Sequence, residues 1–239
     1  MLSIVIPTLN EENCLPFLLE SLKKQNFSTN FEIIVADAGS KDKTIEIAKH
    51  YGCKITSGGF PPKGKNEGGK IAQGDLILFI DADVFLPEKF LEEVLKEFEQ
   101  KNLDVASFYL QSHNKIHNII FNFLYNFPTQ ITEKILPQAM NIILVKKDLH
   151  QKIGEFDEEI KLGEELDYVR KGEKIGKFGV LKSKKILASS RRFQNDGWIK
   201  TWTKYFLCQL YMIFLGPVKS DIFRYRFNHY CKIKKASYN

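Results

Sequence analysis

Gly74-Asp75-Leu76-Ile77-Leu78-Phe79-Ile80-Asp81-Ala82-Asp83 is the stretch whose reading decides the fold. Leu76 to Ile80 is an unbroken apolar run of strand length, as expected of a strand buried on both faces of a mostly parallel sheet. Two carboxylates follow where that strand should emerge. An unpaired buried carboxylate is costly, so Asp81 and Asp83 are expected at the strand end beside a counter-charge. In open α/β sheets, ligands bind at the carboxyl ends of the strands. Two oxygen donors separated by one small residue suit Mg²⁺ or Mn²⁺ held jointly by carboxylates and substrate phosphates. An Asp-rich turn leaves the same trace, so the pair alone does not decide between metal site and turn.

Upstream of this strand the chain alternates. Leu2 to Thr8 is a β-rich run stopped by proline, and Asn10-Glu11-Glu12-Asn13 then carries helix-starting chemistry. Leu15, Leu18, Leu19 and Leu22 recur at helical spacing. Phe31 to Val35 reads as a strand, Asp42 to Tyr51 as a helix and Lys54 to Thr56 as a short strand. Gly58-Gly59-Phe60-Pro61-Pro62-Lys63-Gly64-Lys65 reads as a loop, and Asn66 to Gln73 as a short helix. The β-α-β-α-β-α-β order predicts a parallel sheet with helices on both faces. Neither GxGxxG after the first strand nor GxxxxGK[ST] is present, which argues against a Rossmann dinucleotide site and a Walker loop.

The 239 residues suffice for one large domain or two small ones with a sizeable core. The net charge of +6 concentrates toward the end, where Lys171 to Lys235 is rich in Lys and Arg with few acids. That end suits an anionic partner (a membrane surface, phosphates or nucleic acid) or is simply a solvated surface. Cys14, Cys53, Cys208 and Cys231 form no CxxC pair and read as reduced thiols, neither a disulfide framework nor a zinc site. The chain opens directly on a strand-like run without a signal-peptide pattern, which predicts a cytoplasmic protein. The nearest approach to a membrane span, Tyr205 to Val218, is interrupted by Gln209 and too short to cross a bilayer.

Four blocks carry a resemblance. Ser3-Ile4-Val5-Ile6-Pro7-Thr8-Leu9-Asn10-Glu11-Glu12 resembles the opening of family 2 glycosyltransferases, which have the GT-A fold. Val35-Ala36-Asp37-Ala38-Gly39-Ser40-Lys41-Asp42-Lys43-Thr44 resembles their second-strand signature. Lys65-Asn66-Glu67-Gly68, Ala72-Gln73-Gly74-Asp75 and the Asp81-Ala82-Asp83 end are similar to the third block. Gly163-Glu164-Glu165-Leu166-Asp167-Tyr168-Val169-Arg170 resembles the acceptor-side stretch. The resemblance implies an α/β, GT-A-type nucleotide-binding domain over residues 1–196, with a basic, aromatic, helical C-terminal extension over 197–239. It also strengthens the metal reading of the opening stretch.

Roles follow from that resemblance, position by position. Thr8 and Glu11 match positions that contact base and ribose, and Asp37 the carboxylate that accepts from the base. Lys65, where the family often has Arg, would meet the diphosphate as a point charge. Asp83 would hold Mn²⁺ or Mg²⁺, with Asp81 on the ribose or the metal shell. Glu165 stands where the family has the catalytic base, usually Asp; Glu164 is the alternative, since the side chain here is one methylene longer. A carboxylate in a helix's first turn is kept ionised by the helix dipole, which suits a base near neutral pH. Ordinary work also accounts for these residues: capping and turns for Thr8, Glu11 and Asp37, and an i,i+3 Asp167–Arg170 ion pair at the helix start.

Gln138-Ala139-Met140-Asn141 before the apolar strand Ile142 to Val145 would form part of an acceptor wall. Ser189-Ser190-Arg191-Arg192-Phe193 resembles a closing segment of some bacterial members, with Arg191 and Arg192 either on the leaving diphosphate or on a plain surface. The aromatic tail from Trp198 to Tyr230 suits a membrane interface, its own domain or a second copy of the chain as a homodimer contact. Ile119 to Phe127 is a second aromatic apolar stretch, either core or membrane-facing. The implied function is metal-dependent, inverting transfer from a nucleotide-diphosphate sugar to an acceptor hydroxyl or phosphate, with a glycan or lipid carrier as acceptor. Nucleic acid is not an expected partner. The enzyme would sit in the cytoplasm, peripheral to the inner face of the membrane. Two rivals stand beside it. A nucleotidyltransferase would want a basic, Gly-rich loop after the first strand, which Pro7 to Glu12 does not supply; a non-catalytic nucleotide-sugar or membrane-binding module would be expected to lack Asp83 or Glu164-Glu165.

Overall fold

The computed structural model describes residues 1–25, 30–112, 114–188, 193 and 196–223. The first half is the expected alternation: β1 (Leu2–Thr8), α1 (Leu15–Lys23), β2 (Phe31–Asp37), α2 (Thr44–His50), β3 (Lys54–Ser57), α3 (Pro61–Ile71) and β4 (Leu76–Ile80). β1 runs parallel to β2 on one side and to β4 on the other, and β2 runs parallel to β3. Successive strand residues point to opposite faces. Ile4, Ile6, Leu78 and Ile80 therefore join one buried cluster, and Val5, Ile77 and Phe79 another. α1 closes the first face with Leu15, Leu18, Leu19 and Leu22, each fully buried and stabilising by about 1.5–3 kcal/mol.

Three local expectations are corrected. β1 does not stop at proline: Pro7 stays in register with Ala36. Its missing N–H is tolerated because pairing with β4 ends at Val5 and Phe79. The segment Pro61 to Lys65 is helix rather than loop, since two prolines in a first turn lack only N–H groups that would be unpaired there anyway. α3 then lies close on the sheet, where a Cβ at Gly68 would stand 2.2 Å from Val5 Cγ1. Asn10 to Asn13 do not open a helix with a side-chain cap; α1 starts one residue past Cys14. Asn10 Oδ1 instead accepts from Lys41 N at 2.8 Å, and Glu12 Oε2 from Lys43 N at 3.1 Å, which ties the loop after β1 to the loop after β2.

Beyond β4 follow β5 (Val84–Phe85), α4 (Phe90–Gln100), β6 (Val105–Gln111), α5 (Lys115–Phe121), a π-helical turn (Asn122–Asn126) and α6 (Phe127–Thr132). β7 (Ile142–Lys146), α7 (Lys147–Lys152), α8 (Glu164–Ile175), β8 (Phe178–Ala188) and α9 (Trp198–Phe214) complete the described chain. The strands form one sheet in the order β3-β2-β1-β4-β7-β6-β8-β5. β7 inserts antiparallel to β4, with Ile142 opposite Ile80, so the residue before β7 meets the residue after β4.

α9, within the described part of the aromatic tail, docks on this body through one face. Trp198, Trp202 and Tyr205 of α9 pack against the main core, while Cys208 and Met212 are buried with Leu162 and Val218. The outer face leaves Ile199, Phe206, Ile213 and Phe214 exposed. The α5–α6 stretch is likewise divided. Phe121 and Tyr125 are core, whereas Ile116, Ile119, Phe123, Phe127, Ile131 and Ile135 are exposed. Among the described residues, no helix is long and apolar enough to cross a membrane.

Candidate active site

β4 delivers Asp81 to the sheet edge, and a turn closed by Val84 N donating to Asp81 O (3.3 Å) carries Asp83 beside it. α8 approaches from the other side. It starts after Gly163, whose φ of 82° is left-handed and where a Cβ would meet Met212 Sδ at 2.7 Å. Its first two residues are Glu164 and Glu165, placed where free N–H groups and the helix dipole favour anions.

Lys65 reaches this edge from α3. Its residue is 1% exposed, and Nζ donates to Glu165 Oε1 at 2.8 Å and to Glu164 Oε1 at 3.1 Å. Burial alone would lower the ammonium's pKa, but Glu165, Glu164 and Asp81 outweigh it and raise it well above its ordinary value. Asp81 shows the reverse balance. Burial first, then the Glu165 charge, push its carboxyl well above the usual range, with Lys65 opposing them. The counter-charge expected for Asp81 is thus present but shared: Asp81, Glu164 and Glu165 all act on the Lys65 ammonium, while Asp83 adds its charge beside Asp81. Lys65 therefore directs its charge to the glutamates, where the sequence reading expected it to meet a diphosphate.

Asn141 links the two sides. Its N–H donates to Glu165 Oε2 at 3.1 Å, its Nδ2 donates to Asp81 Oδ2 at 3.0 Å, and its carbonyl accepts from Asp81 N at 2.9 Å. The sequence reading placed Asn141 in a wall and missed this clamp; the available signal was an Asn directly before an apolar strand, a residue type that tolerates left-handed backbone.

The donor-side candidates lie at the ends of β1 and β2. Thr8 Oγ1 donates to Asp37 Oδ2 at 3.0 Å, and Asp37 Oδ1 accepts from Gly39 N at 2.9 Å and Ser40 N at 2.8 Å. Asp37 therefore does turn work in the structure, as the sequence also allowed. A cavity of about 1170 Å³ joins Thr8, Glu11, Asp81, Asp83, Glu164 and Glu165, while Asp37 and Lys65 stand outside its lining. The same cavity continues to Phe123, Phe127, Phe206 and Leu210. At that end Tyr125 Oη, Thr129 Oγ1 and Trp202 Nε1 are buried and have no hydrogen-bond partner among the described residues. These residues carried no sequence signal beyond their aromatic surroundings.

The expected Asp167–Arg170 pair is replaced by Asp167–Lys171 at 2.7 Å, four residues apart. Arg170 turns inward, and its Nη2 donates to Gln209 Oε1 of α9 at 2.9 Å. Arg191 and Arg192 lie outside the described residues, as do Ser189, Ser190, Cys231 and the tail's basic residues from Arg224 onward. Phe193 is buried and stacks on Trp198 at 4.5 Å between ring centroids.

Among the described residues, no group of three or more His, Cys, Asp or Glu side chains is arranged to hold a metal. The donor set nevertheless fits Mg²⁺ or Mn²⁺ bound with a substrate. Such ions take one or two carboxylates and complete their shell with phosphate oxygens and water. A divalent cation would also offset the negative charge of Glu165 and Asp83 that, with burial, holds the Asp81 carboxyl above its usual range.

A family model described as Glycosyl transferase family 2 matches residues 3–144. The chain belongs to that family. Poly(ribitol-phosphate) beta-N-acetylglucosaminyltransferase TarS of Staphylococcus aureus is 32% identical over 121 residues, which is 47% of this chain and 21% of TarS. An uncharacterized glycosyltransferase of Haemophilus influenzae is 33% identical over 183 residues, covering 72% of this chain and 61% of that protein. The chain thus spans less than two thirds of either relative. Among solved structures, mannosyltransferase PcManGT from Pyrobaculum calidifontis, in complex with GDP-Man and Mn²⁺, superposes with a TM-score of 0.70. That match is 15% identical and covers 89% of this chain and 63% of PcManGT. The fold is accordingly the α/β, mostly parallel GT-A type that the four blocks implied.

Proposed function

We propose that this family 2 chain moves a sugar from a nucleoside-diphosphate donor to an acceptor held at a membrane surface, with inversion. The observation that carries the reading is the gathering of Asp81, Asp83, Glu164 and Glu165 on the wall of one cavity that reaches both the β1 loop and an apolar wall, with Lys65 behind it facing Glu164, Glu165 and Asp81. Thr8 and Glu11 take the base and ribose, with Asp37 ordering their loop. Asp81 and Asp83 hold Mn²⁺ or Mg²⁺, which when bound neutralises charge on the departing diphosphate. Glu165 accepts the proton of the acceptor hydroxyl as that oxygen bonds to the anomeric carbon from the face opposite the diphosphate. The anomeric carbon–oxygen bond to the diphosphate breaks in the same step, and the nucleoside diphosphate leaves with the bond's electron pair. Lys65 keeps Glu165 oriented between turnovers. Nucleotide sugars as donors agree with the GlcNAc and mannosyl transfer in the names of TarS and PcManGT.

The apolar wall supports a lipid-linked acceptor. Exposed Phe123 and Leu124 of the π-helical turn, Phe127 of α6, and Phe206, Leu210 and Ile213 of α9 line one end of the cavity. Lys115, Lys134, Lys200 and Lys204 accompany them, with Glu133 as the one acid in residues 115–136 and 198–216. Glu133 Oε1 accepts from Val180 N at 2.8 Å. An apolar face edged by lysines suits anionic lipid.

Calorimetry with UDP and GDP in Mn²⁺ tests the donor half, and nucleotide release from UDP-GlcNAc, UDP-glucose and GDP-mannose tests the chemistry. Asp83→Ala is expected to abolish metal-dependent nucleotide binding. Glu165→Gln keeps that binding and loses about 10²–10⁴-fold in rate. Unchanged nucleotide affinity in Asp83→Ala would remove the metal assignment, and a loss confined to Glu164→Gln would move the base one residue earlier.

A further inference from the structure

Asn141 has a backbone that asparagine tolerates and most residues resist. Its φ is 66°, left-handed, in a segment whose next residue enters β7. That conformation aims its N–H at Glu165 Oε2, 3.1 Å away, while its side chain turns back to Asp81 Oδ2 at 3.0 Å. The two partners lie on opposite sides of it in sequence, 60 residues before and 24 residues after. Glu165 is consequently held through both oxygens, by Lys65 Nζ on Oε1 and by Asn141 N–H on Oε2. Neither contact exhausts the lone pairs of a carboxylate, which accepts at about four sites. A free position remains for an acceptor hydroxyl.

We propose that Asn141 is a positioning residue, whose left-handed backbone aims Glu165 and whose side-chain amide fixes Asp81. This rests on the reading of Glu165 as the base. Asn141 thereby joins the acceptor-side carboxylate to the donor-side one through a single residue. Backbone and side chain do separate jobs, so two substitutions separate them. Asn141→Gly removes the amide but adopts positive φ freely and keeps the N–H in place. Asn141→Ala removes the amide as well, and adds the steric cost that an L side chain meets in the left-handed region.

The experiment compares both variants with wild type and with Glu165→Gln, well below all four melting temperatures. Nucleotide release is measured from UDP-GlcNAc, UDP-glucose and GDP-mannose with Mn²⁺ and water as acceptor. Binding of UDP and GDP with Mn²⁺ is measured by calorimetry. Asn141→Gly is expected to keep kcat within about threefold while nucleotide affinity falls several-fold, because only the hold on Asp81 is lost. Asn141→Ala binds nucleotide as the glycine variant does, but its kcat falls about tenfold further, the equivalent of the left-handed penalty. All four proteins are assayed folded, well below their melting temperatures, so recovery of rate on going from Ala to Gly reports the aim of the N–H at Glu165 and not a gain in fold stability. Equal kcat in the two variants, or nucleotide affinity unchanged in both, overturns the proposal. If Glu165→Gln is silent, or wild type releases no nucleotide from any of the three donors, the base reading fails and takes this inference with it. If Glu165→Gln stops release while both Asn141 variants match wild type, the role of Asn141 alone is refuted.

Discussion

Replacing Lys65 by methionine tests whether the buried ammonium holds the candidate site together. The side chain lengths are similar, so the perturbation is mainly the loss of charge and of two donors. Lys65 is 1% exposed, and the side chains of Glu164 and Glu165 retain 13% and 15% exposure. Little water can therefore replace the lost contacts at 2.8 Å and 3.1 Å. Removing one partner of a buried ion pair costs about 3–5 kcal/mol. For a chain of this size that lowers Tm by about 6–20 °C. The sign against pH is fixed. The Lys65 pKa is raised in the fold, so its contribution is fully present below its ordinary value of 10.5 and is lost only as pH climbs through the folded value. The Lys65→Met deficit is therefore full at pH 8. At pH 5 the wild-type ammonium is charged as well, so the deficit persists there. Scanning calorimetry of both proteins at the two pH values measures this. The combination Lys65→Met, Glu164→Gln, Glu165→Gln should recover most of the loss, because replacing a whole buried ion pair is often close to neutral. A Tm for Lys65→Met within 2 °C of wild type at pH 8, on a scale where about 1 kcal/mol moves it 2–4 °C, would refute the reasoning.

Two further expectations concern regions outside the carboxylate cluster. His150 is buried, with Nδ1 2.8 Å from Tyr168 Oη, and burial, with Lys147 nearby, lowers its pKa to about 4. Its neutral ring leaves stability untouched above pH 6.5 and costs up to about 3 kcal/mol as pH falls toward 4, where only the unfolded chain is protonated; denaturant titrations should show a flatter acid limb in His150→Phe. The double substitution Ile135→Asp, Phe214→Asp, at exposed positions outside the cavity lining, should reduce sedimentation with phosphatidylglycerol vesicles about tenfold or more while nucleotide binding persists. Wild type that fails to sediment at low salt would remove the membrane reading.

The first half of the sheet was legible because its signals are local. Ile77 to Ile80 are buried on both faces, and the Asp81-Ala82-Asp83 end falls at the sheet edge, as an apolar run with terminal carboxylates implies. Pro61 and Pro62 misled the reading because proline marks both loops and first helical turns, and only the tertiary position decides which. The antiparallel β7 was hidden for a different reason. A short apolar run such as Ile142 to Val145 states that a strand is buried, but not its direction or its neighbours. The partners of Lys65 were beyond reach as well. Its contacts with Glu164 and Glu165 span 99 and 100 residues, and no spacing rule connects α3 to α8.

The π-helical turn Asn122–Asn126 governs the phase of the surface beside the cavity. From Ile119 onward the exposed residues Phe123, Phe127, Ile131 and Ile135 recur every fourth position. In a continuous α-helix a four-residue step overshoots a full turn by about 40°, so a row of such residues winds away around the cylinder. A π turn closes its hydrogen bonds one residue later, so the same step falls short of a turn and cancels part of that drift. The additional residue thus acts as an angular correction, keeping the side chains of α6 in line with those of α5. Deleting one residue between Asn122 and Asn126 would turn everything downstream by about 100°. Asn126, whose side chain caps Leu110 of β6 through both its N–H and its carbonyl, would leave that strand. The apolar row would be split into two faces, only one of them beside the mouth of the cavity.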